Sequence, residues 1–248
     1  MTATAAALRD IDTWVFDLDN TLYPASCNLF SQVDVRIGAF VSRILGLPAD
    51  QARAVQKGYL AKYGTTLRGL MVEHRLDPAE YLNFVHDIDV TAIPPDPAMD
   101  LALDRLPGRK LVFTNGTVAH AERVLNRLGV QRHFEAVFDI HAADYVPKPE
   151  PVVYDQLLRR HAIAPRRAML FEDIARNLKP AHDLGMTTAW VRVDWAWAQP
   201  GDDSTHVHHV IDDLTPWLTR AADARAAPSP QAQTTLTGPT LTRATLTG

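Results

Sequence analysis

Cysteine is nearly missing from this chain: Cys27 is the only one in 248 residues. That excludes an intrachain disulfide framework and a cysteine-based zinc site, and it suits a reducing cytosol. Long apolar runs are missing too. No stretch approaches the ~18 consecutive apolar residues of a membrane-spanning helix, and the Ala/Thr-rich segment from Met1 to Asp12 lacks the basic and apolar regions of a secretory signal. An excess of positive charge is also absent. Lys and Arg number 25 against 29 Asp and Glu, for a net charge of -4, so nothing favours a nucleic-acid polymer or an anionic membrane as partner. What is present, 46% hydrophobic and 22% charged residues, is the composition of a soluble globular protein with one large core and room for a smaller accessory domain. The expected location is the cytoplasm.

The rest of the chain is organised around Trp14-Val15-Phe16-Asp17-Leu18-Asp19-Asn20-Thr21-Leu22-Tyr23. An apolar run that meets polar turn residues at once reads as a strand buried on both faces, the kind that parallel sheets contain. Residues i and i+2 of a strand point the same way, so Asp17 and Asp19 converge at the strand's carboxyl end, where open α/β sheets place their ligands. Two neighbouring carboxylates raise each other's pKa unless a cation sits between them. A hard divalent ion such as Mg²⁺, held by one or two carboxylates with water and a substrate phosphate, answers that need.

Beyond Tyr23-Pro24 the apolar positions Leu29, Val33, Ile37, Phe40, Val41, Ile44 and Leu45 fall at helical spacing. Gly46 ends that helix, and Pro48 opens another that runs to about Tyr63. Shorter helices are expected at Thr66 to Arg75 and Pro78 to Val85, and the Pro-rich Ile93 to Pro97 reads as a hinge. Residues 22–93 thus form a helical insert with no convincing strand. From Pro97 the pattern alternates: a helix to Leu106, strand Lys110 to Thr114, helix Val118 to Leu128, strand Ala136 to Ile140, helix Pro151 to His161, strand Ala168 to Phe171, helix Ile174 to Leu184, strand Thr187 to Val191, strand Val207 to Ile211 and helix Leu214 to Ala222. Alternation of this kind implies βαβ units in a parallel sheet with helices on both faces. The expected fold class is therefore α/β, a Rossmann-like core from residues 1–21 and 94–225 carrying an all-helical domain at 22–93. The Pro/Ser/Thr/Gln-rich segment 226–248 reads as a disordered tail.

Three more polar clusters follow strand ends. Thr114-Asn115-Gly116 offers a hydroxyl and closely spaced backbone N–H groups suited to phosphate oxygens. In Val146-Pro147-Lys148-Pro149-Glu150-Pro151, prolines on both sides of Lys148 restrict the backbone that carries an ammonium. Glu172-Asp173 is a second carboxylate pair. Each alone has a plainer reading, as a turn, a Pro-rich loop and an acidic helix N-terminus in turn. Their spacing unites them. Asp17 to Thr114 spans the insert in 97 residues, and the next steps, 34 residues to Lys148 and 25 to Asp173, are each about one βαβ unit. All four can meet along one sheet edge, where Mg²⁺ and Lys148 offset the carboxylates and an incoming phosphate.

This constellation resembles the haloacid dehalogenase superfamily of aspartate-nucleophile phosphatases over roughly residues 13–215. Asp17-Leu18-Asp19-Asn20-Thr21 matches its first motif; Thr114, Lys148 and Glu172-Asp173 match the second, third and fourth; the helical insert corresponds to a C1-type cap. Asp-Leu-Asp-Asn-Thr-Leu-Tyr, Phe-Thr-Asn-Gly and Phe-Glu-Asp-Ile-Ala-Arg-Asn-Leu look most like the pyrimidine 5′-nucleotidase subgroup. The resemblance implies that Asp17 attacks phosphorus and forms an aspartyl-phosphate. Asp19 protonates the leaving oxygen and then deprotonates water. Mg²⁺ is expected on the Asp17 carboxylate, the Asp19 main-chain carbonyl and Asp173, and Thr114, Asn115 and Lys148 on the phosphoryl oxygens. One position departs from the pattern: Asn177 stands where many relatives carry a second acid, so Glu172 or Asn177 takes its place in the outer shell of the metal.

The expected function is Mg²⁺-dependent hydrolysis of a small-molecule phosphate ester, a pyrimidine nucleoside 5′-monophosphate first among the choices, by a monomer or weak homodimer. A sugar-phosphate or phosphoglycolate phosphatase, or a phosphomutase, would show similar motifs. A hydrolytic dehalogenase lacks the acid/base Asp19, and a non-enzymatic binding protein would be expected to lose Asp17 or Lys148. Expected substrate contacts are Tyr23, Asn28 and Gly116, with Arg68, His74 and Arg75 as further candidates that read more readily as a solvated helix face. His206, His208 and His209 read as part of the final strand rather than as metal ligands, and Trp190, Trp195, Trp197 and Trp217 as packing groups.

Overall fold

The computed structural model describes residues 8–201 and 204–226. The tail assigned to 226–248 thus lies, from residue 227 on, outside the described residues. Six strands, β1 (Thr13–Phe16), β2 (Arg109–Phe113), β3 (Ala136–Phe138), β4 (Ala168–Glu172), β5 (Thr187–Val191) and β6 (His209–Ile211), form one sheet in the order β3-β2-β1-β4-β5-β6. Every pairing is parallel. β1 is central, and the chain leaves it first toward β2 and β3 and later toward β4, β5 and β6. The switch of direction between β1 and β4 opens a crevice at their carboxyl ends.

Alternating strand residues feed two cores. Trp14, Phe16, Val112, Met169 and Phe171 face one layer, which holds α5 (Pro97–Arg105), α6 (Val118–Leu128) and α9 (Leu214–Ala226). Val15, Leu111, Phe113 and Leu170 face the other, with α7 (Pro151–Arg160) and α8 (Leu178–Asp183). Phe16 and Phe171 lie face to face with centroids 4.6 Å apart, so the central strands are fastened by stacked rings as well as by the ladder.

Four helices fill the chain between β1 and α5: α1 (Leu29–Leu45), α2 (Ala49–Tyr63), α3 (Thr66–His74) and α4 (Pro78–Val85). This is the helical cap that the fold class called for. Its apolar stripe Leu29, Val33, Phe40 and Val41 is buried with Tyr81, Leu82 and Val85, and it joins the first core through Leu18, Leu22 and Tyr23. Gly46 closes α1 at φ 64° with its N–H on the Ser42 carbonyl, a conformation that glycine adopts without steric penalty.

The last helix runs on to Ala226 rather than ending at Ala222, and three other boundaries differ from expectation for a local reason. β3 stops at Phe138 because the Asp139 carboxylate turns to the N–H groups of Val118 and Ala142. The expected helix from Ile174 begins as a 3-10 turn, Ala175–Asn177, and becomes α-helical only at Leu178; Pro180, which has no N–H to donate, sits in the first turn. β6 begins at His209 because the His206 carbonyl and the His208 ring occupy the Thr188 hydroxyl and N–H. No helix among the described residues is long and apolar enough to cross a membrane.

Candidate active site

Four buried residues of β1 deliver Asp17 to the sheet edge, where its N–H still donates to the Phe171 carbonyl at 2.9 Å. The chain then leaves the sheet in a tight turn. Asn20 takes a left-handed φ of 62°, which asparagine tolerates better than most residues, and the N–H groups of Thr21 and Leu22 both return to the Leu18 carbonyl. That turn brings the Thr21 hydroxyl to Asp17 Oδ2 at 3.0 Å.

Lys148 arrives from the loop between β3 and α7. Its main-chain N–H donates to Asn115 Oδ1 at 2.9 Å, so the β2 turn fixes the lysine's backbone. All three ammonium protons have acceptors: Asp17 Oδ1 at 2.7 Å, Glu172 Oε2 at 2.6 Å and the Phe113 carbonyl at 3.0 Å. Burial acts against the charge of Lys148, but Asp17 and Glu172 outweigh it and raise the ammonium's pKa. Lys148 therefore serves first as the counter-ion of Asp17, and a direct hold on a phosphoryl oxygen requires it to release one of these acceptors.

One ammonium does not balance what surrounds it. Carboxylate oxygens of Asp17, Glu172 and Asp173 lie within 4.8 Å of one another, all from buried residues. Burial and the charge of Glu172 push Asp17 up to about 7, and burial with Glu172 and Asp17 raises Asp173 as well. Asp173 Oδ2 is buried with no hydrogen-bond partner among the described residues. Its main chain, by contrast, is pinned, since the Trp190 indole donates to the Asp173 carbonyl at 2.7 Å. A compact set of hard oxygen donors short of positive charge, with one oxygen lacking a partner, fits a divalent cation of the Mg²⁺ type. Glu172, like Asp17, has a partner on both oxygens: Oε2 holds Lys148 and Oε1 accepts the Ile174 N–H at 3.2 Å. Asn177 is buried and lines the cavity, while its carbonyl accepts the Tyr154 hydroxyl at 2.5 Å.

Asp19 stands across from this cluster. Its Oδ1 accepts the Tyr23 hydroxyl at 2.6 Å and lies 2.9 Å from His120 Nε2. Burial opposes ionisation, but the charge and hydrogen bond of His120, together with Tyr23, hold Asp19 down at about 2. Tyr23 is itself 1% exposed, and burial and the Asp19 charge keep its hydroxyl protonated. Tyr23 is thus a support for Asp19 and not a wall of the cavity, contrary to its expected place among the substrate contacts.

A cavity of about 380 Å³ opens above these groups. Its floor is Asp17, Asp19, Thr114, Asn115, Gly116, Lys148, Glu172 and Asp173, and Asn28 contributes from the cap. At the floor the Thr114 hydroxyl oxygen accepts the Gly116 N–H at 2.9 Å, which leaves its own proton for a ligand. Arg68, His74 and Arg75 do not line the cavity; His74 instead meets the Tyr59 hydroxyl at 2.8 Å. The packing role expected for Trp195 and Trp197 also needs correction. They stack on each other, centroids 5.6 Å apart and 7° from parallel, and both line the cavity, whereas Trp190 of β5 belongs to the second core and Trp217 packs against the first. His206 and His208 serve Thr188 and the Ala175 carbonyl, and none of the three histidines joins a metal-ligand group among the described residues.

The sequence pattern did not point to His120 or to His86, the latter a cavity residue from the end of α4. His120 had a signal: it sits with Ala121, Val124, Leu125 and Leu128 on the apolar face of α6, one turn after Thr-Asn-Gly. His86 had none, because only the packing of the cap brings it to the sheet.

Known proteins resemble this chain in sequence or in fold. Phosphate metabolism protein 8 of Saccharomyces cerevisiae is 25% identical over 191 residues, a stretch covering 69% of this chain and 58% of that protein. This chain thus spans less than two thirds of that relative's length. The structure of CbbY from Rhodobacter sphaeroides in complex with phosphate superimposes with a TM-score of 0.57 at 18% identity, over 82% of this chain and 94% of that one. L-2-haloacid dehalogenase from Xanthobacter autotrophicus does so with 0.51 at 16% identity, over 86% and 97%. At these identities the two structures speak for the fold alone. A family model described as haloacid dehalogenase-like hydrolase matches residues 11–185, from the start of β1 to the turn before β5, and on that match the chain belongs to the haloacid dehalogenase-like hydrolases.

Proposed function

We propose that this protein hydrolyses phosphate monoesters through an aspartyl-phosphate on Asp17, and that its substrates are pyrimidine nucleoside 5′-monophosphates. The observation that carries the reading is the pairing of Asp17, neutralised by Lys148 at 2.7 Å, with a second carboxyl, Asp19, two residues on and held by two hydrogen bonds. An uncompensated carboxylate would repel a phosphate dianion; one paired with an ammonium can approach it.

In the first step Asp17 forms a bond to phosphorus as the ester P–O bond breaks, and Asp19 gives its proton to the departing oxygen. A carboxyl held at about 2 becomes a usable acid when the anionic phosphate draws near, since a like charge raises its pKa. In the second step Asp19 takes a proton from water as that oxygen bonds to phosphorus, and Asp17 leaves as carboxylate. Thr114 and the Asn115 N–H hold phosphoryl oxygens throughout. Asp17, Asp173 and the Asp19 carbonyl are the residues that would hold Mg²⁺, which when bound supplies the positive charge that phosphoryl transfer demands.

The pyrimidine preference rests on the likeness of the motifs to that nucleotidase subgroup. It draws support from a cavity large enough for a nucleotide and from the presence of Trp195 and Trp197 in its lining. The presence of Asp19 argues against dehalogenation, which needs no acid/base residue there. A panel of phosphate esters tested with Mg²⁺ and again with EDTA checks the reading. Hydrolysis of UMP and CMP in preference to purine nucleotides and sugar phosphates, abolished by EDTA, is the expected outcome. Preference for phosphoglycolate or a sugar phosphate would keep the reaction and discard the nucleotide.

A further inference from the structure

On the reading that Asp19 is the acid/base residue, we infer that His120, stacked under His86 of the cap, is the positioning residue that aims the Asp19 carboxyl, so that seating the cap and readying the acid are one event.

Three observations converge. The first is the direction of the contacts on Asp19. Tyr23 and His120 both bond to Oδ1, and among the described residues no hydrogen bond uses Oδ2. One oxygen is anchored from two sides and the other is left for a proton that moves. The second is the pair of rings. His120 is 0% exposed, its ring lies parallel to that of His86 within 10° at 4.6 Å, and both keep a buried Nδ1 with no partner among the described residues. Two buried imidazoles with unsatisfied nitrogens destabilise a fold, and an apolar pair would pack there without that penalty. Groups retained at such a penalty commonly mark a functional site. The third is the helix that carries His120. Arg123 and Arg127 follow at positions 3 and 7 residues on, along nearly the same side of α6. Arg123 donates to the carbonyls of His86 and Ile88, and Arg127 to those of Ile93 and Thr91. The helix that orients Asp19 thus also grips the segment by which the cap returns to the sheet.

The space between the rings and the catalytic turn is filled. A Cβ placed on Gly116 would come within 3.2 Å of His120 Cδ2, 3.3 Å of Thr114 Oγ1 and 3.6 Å of His86 Nε2. Displacement of the cap removes His86 from this stack and leaves His120 free to turn away from Asp19. The proton path needs no further reactant: Asp19 Oδ2 gives its proton to the leaving oxygen and regains one from the attacking water, while the His120 Nε2–H stays on Oδ1.

The test uses leaving groups. A poor leaving group, the alkoxide of a nucleoside monophosphate, needs the proton of Asp19; p-nitrophenolate does not. kcat/KM, which reports every step through the first irreversible one, is measured on UMP and on p-nitrophenyl phosphate with Mg²⁺. In His120→Phe, which keeps a ring under His86 but loses the N–H, the ratio of p-nitrophenyl phosphate to UMP kcat/KM should rise by about tenfold or more, part of the full effect of a general acid. His120→Gln, whose amide reaches the place of Nε2, should restore the ratio, and His120→Asn, too short, should not. His86→Leu should move the ratio in the same direction by less. An equal loss on both esters in His120→Phe, or no rescue by His120→Gln, would reduce His120 to a packing residue, and an unchanged ratio in His86→Leu would remove the cap from the account. Should His120→Phe not fold, as judged by circular dichroism, the Gln and Asn pair decides alone. A wild-type protein that hydrolyses neither ester with Mg²⁺ would overturn the hydrolase reading itself, an outcome distinct from all of these.

Discussion

Lys148 Nζ crosses 131 residues of chain to lie 2.7 Å from Asp17 Oδ1, both groups buried. Removal of one partner of a buried pair leaves the other's charge uncompensated, a loss of about 3–5 kcal/mol. Here the same ammonium also serves Glu172 at 2.6 Å. Lys148→Met should therefore lose both activity and stability, as read by urea unfolding. The stability deficit should shrink as pH falls, because protonation relieves the stranded carboxylates. A deficit that stays constant from pH 8 to pH 5 would contradict the charge account.

Metal binding should depend on pH with a definite sign. In the metal-free protein Asp17 is raised from 3.8 to about 7 and Asp173 is raised too. The folded state therefore holds more protons than the unfolded one in that window, and these groups' contribution to stability declines as pH rises through it. Mg²⁺ competes with those protons. The increase in Tm that it confers should be small at pH 5 and grow toward pH 8, with protons released on binding. An increase independent of pH would rule out these carboxylates as its ligands.

His86 has the opposite sign. Burial and the neighbouring His120 lower it from 6.5 to about 3, so the folded state holds fewer protons than the unfolded one between those values, and stability rises with pH there. The stability of wild type relative to His86→Leu should increase from pH 4 to pH 7 by up to a few kcal/mol, since each tenfold loss of proton affinity on folding is worth ~1.4 kcal/mol. A difference that does not vary with pH would mean that His86 is not held neutral by its surroundings.

Gly108 marks the close approach of the β2 entry to the first strand. Its φ is 104°, and a Cβ there would lie 2.5 Å from the Asp12 carbonyl oxygen, next to the 2.8 Å bond from the Arg109 N–H to that same oxygen. Gly108→Ala should destabilise the protein by about 1–3 kcal/mol or more while leaving turnover at low temperature intact, a combination that thermal unfolding and a phosphate-release assay distinguish. Wild-type Tm in this variant would show that the backbone yields there.

The sheet and the polar strand ends were legible in the sequence because buried parallel strands are short apolar runs that stop at polar residues. Trp14-Val15-Phe16 into Asp17, and Leu170-Phe171 into Glu172-Asp173, carry that signature without reference to any partner. The cap helices were legible as elements through their apolar spacing, but what they bring to the site was not. His86 and Ser31 reach the cavity because of how helices pack on one another, and no local pattern encodes that. Tyr23 shows the same limit from the other side. Its nearness to Asp19 in sequence is plain, yet whether its hydroxyl faces a ligand or Asp19 depends on the turn at Asn20. Lys148 was found as a cation, but the commitment of all three of its protons became visible only with Phe113, Asp17 and Glu172 around it.

The central claim is that Asp17 becomes covalently phosphorylated. Acid quench of the wild-type protein during turnover of UMP with Mg²⁺, followed by peptide mass spectrometry, reads this directly. The account predicts a phosphoryl group on the peptide that contains Asp17, lost on treatment with hydroxylamine, absent with EDTA, and absent in a folded Asp17→Asn variant whose turnover falls by about 10³-fold or more. Steady turnover with no label on that peptide, or an Asp17→Asn variant that turns over at the wild-type rate, would contradict it.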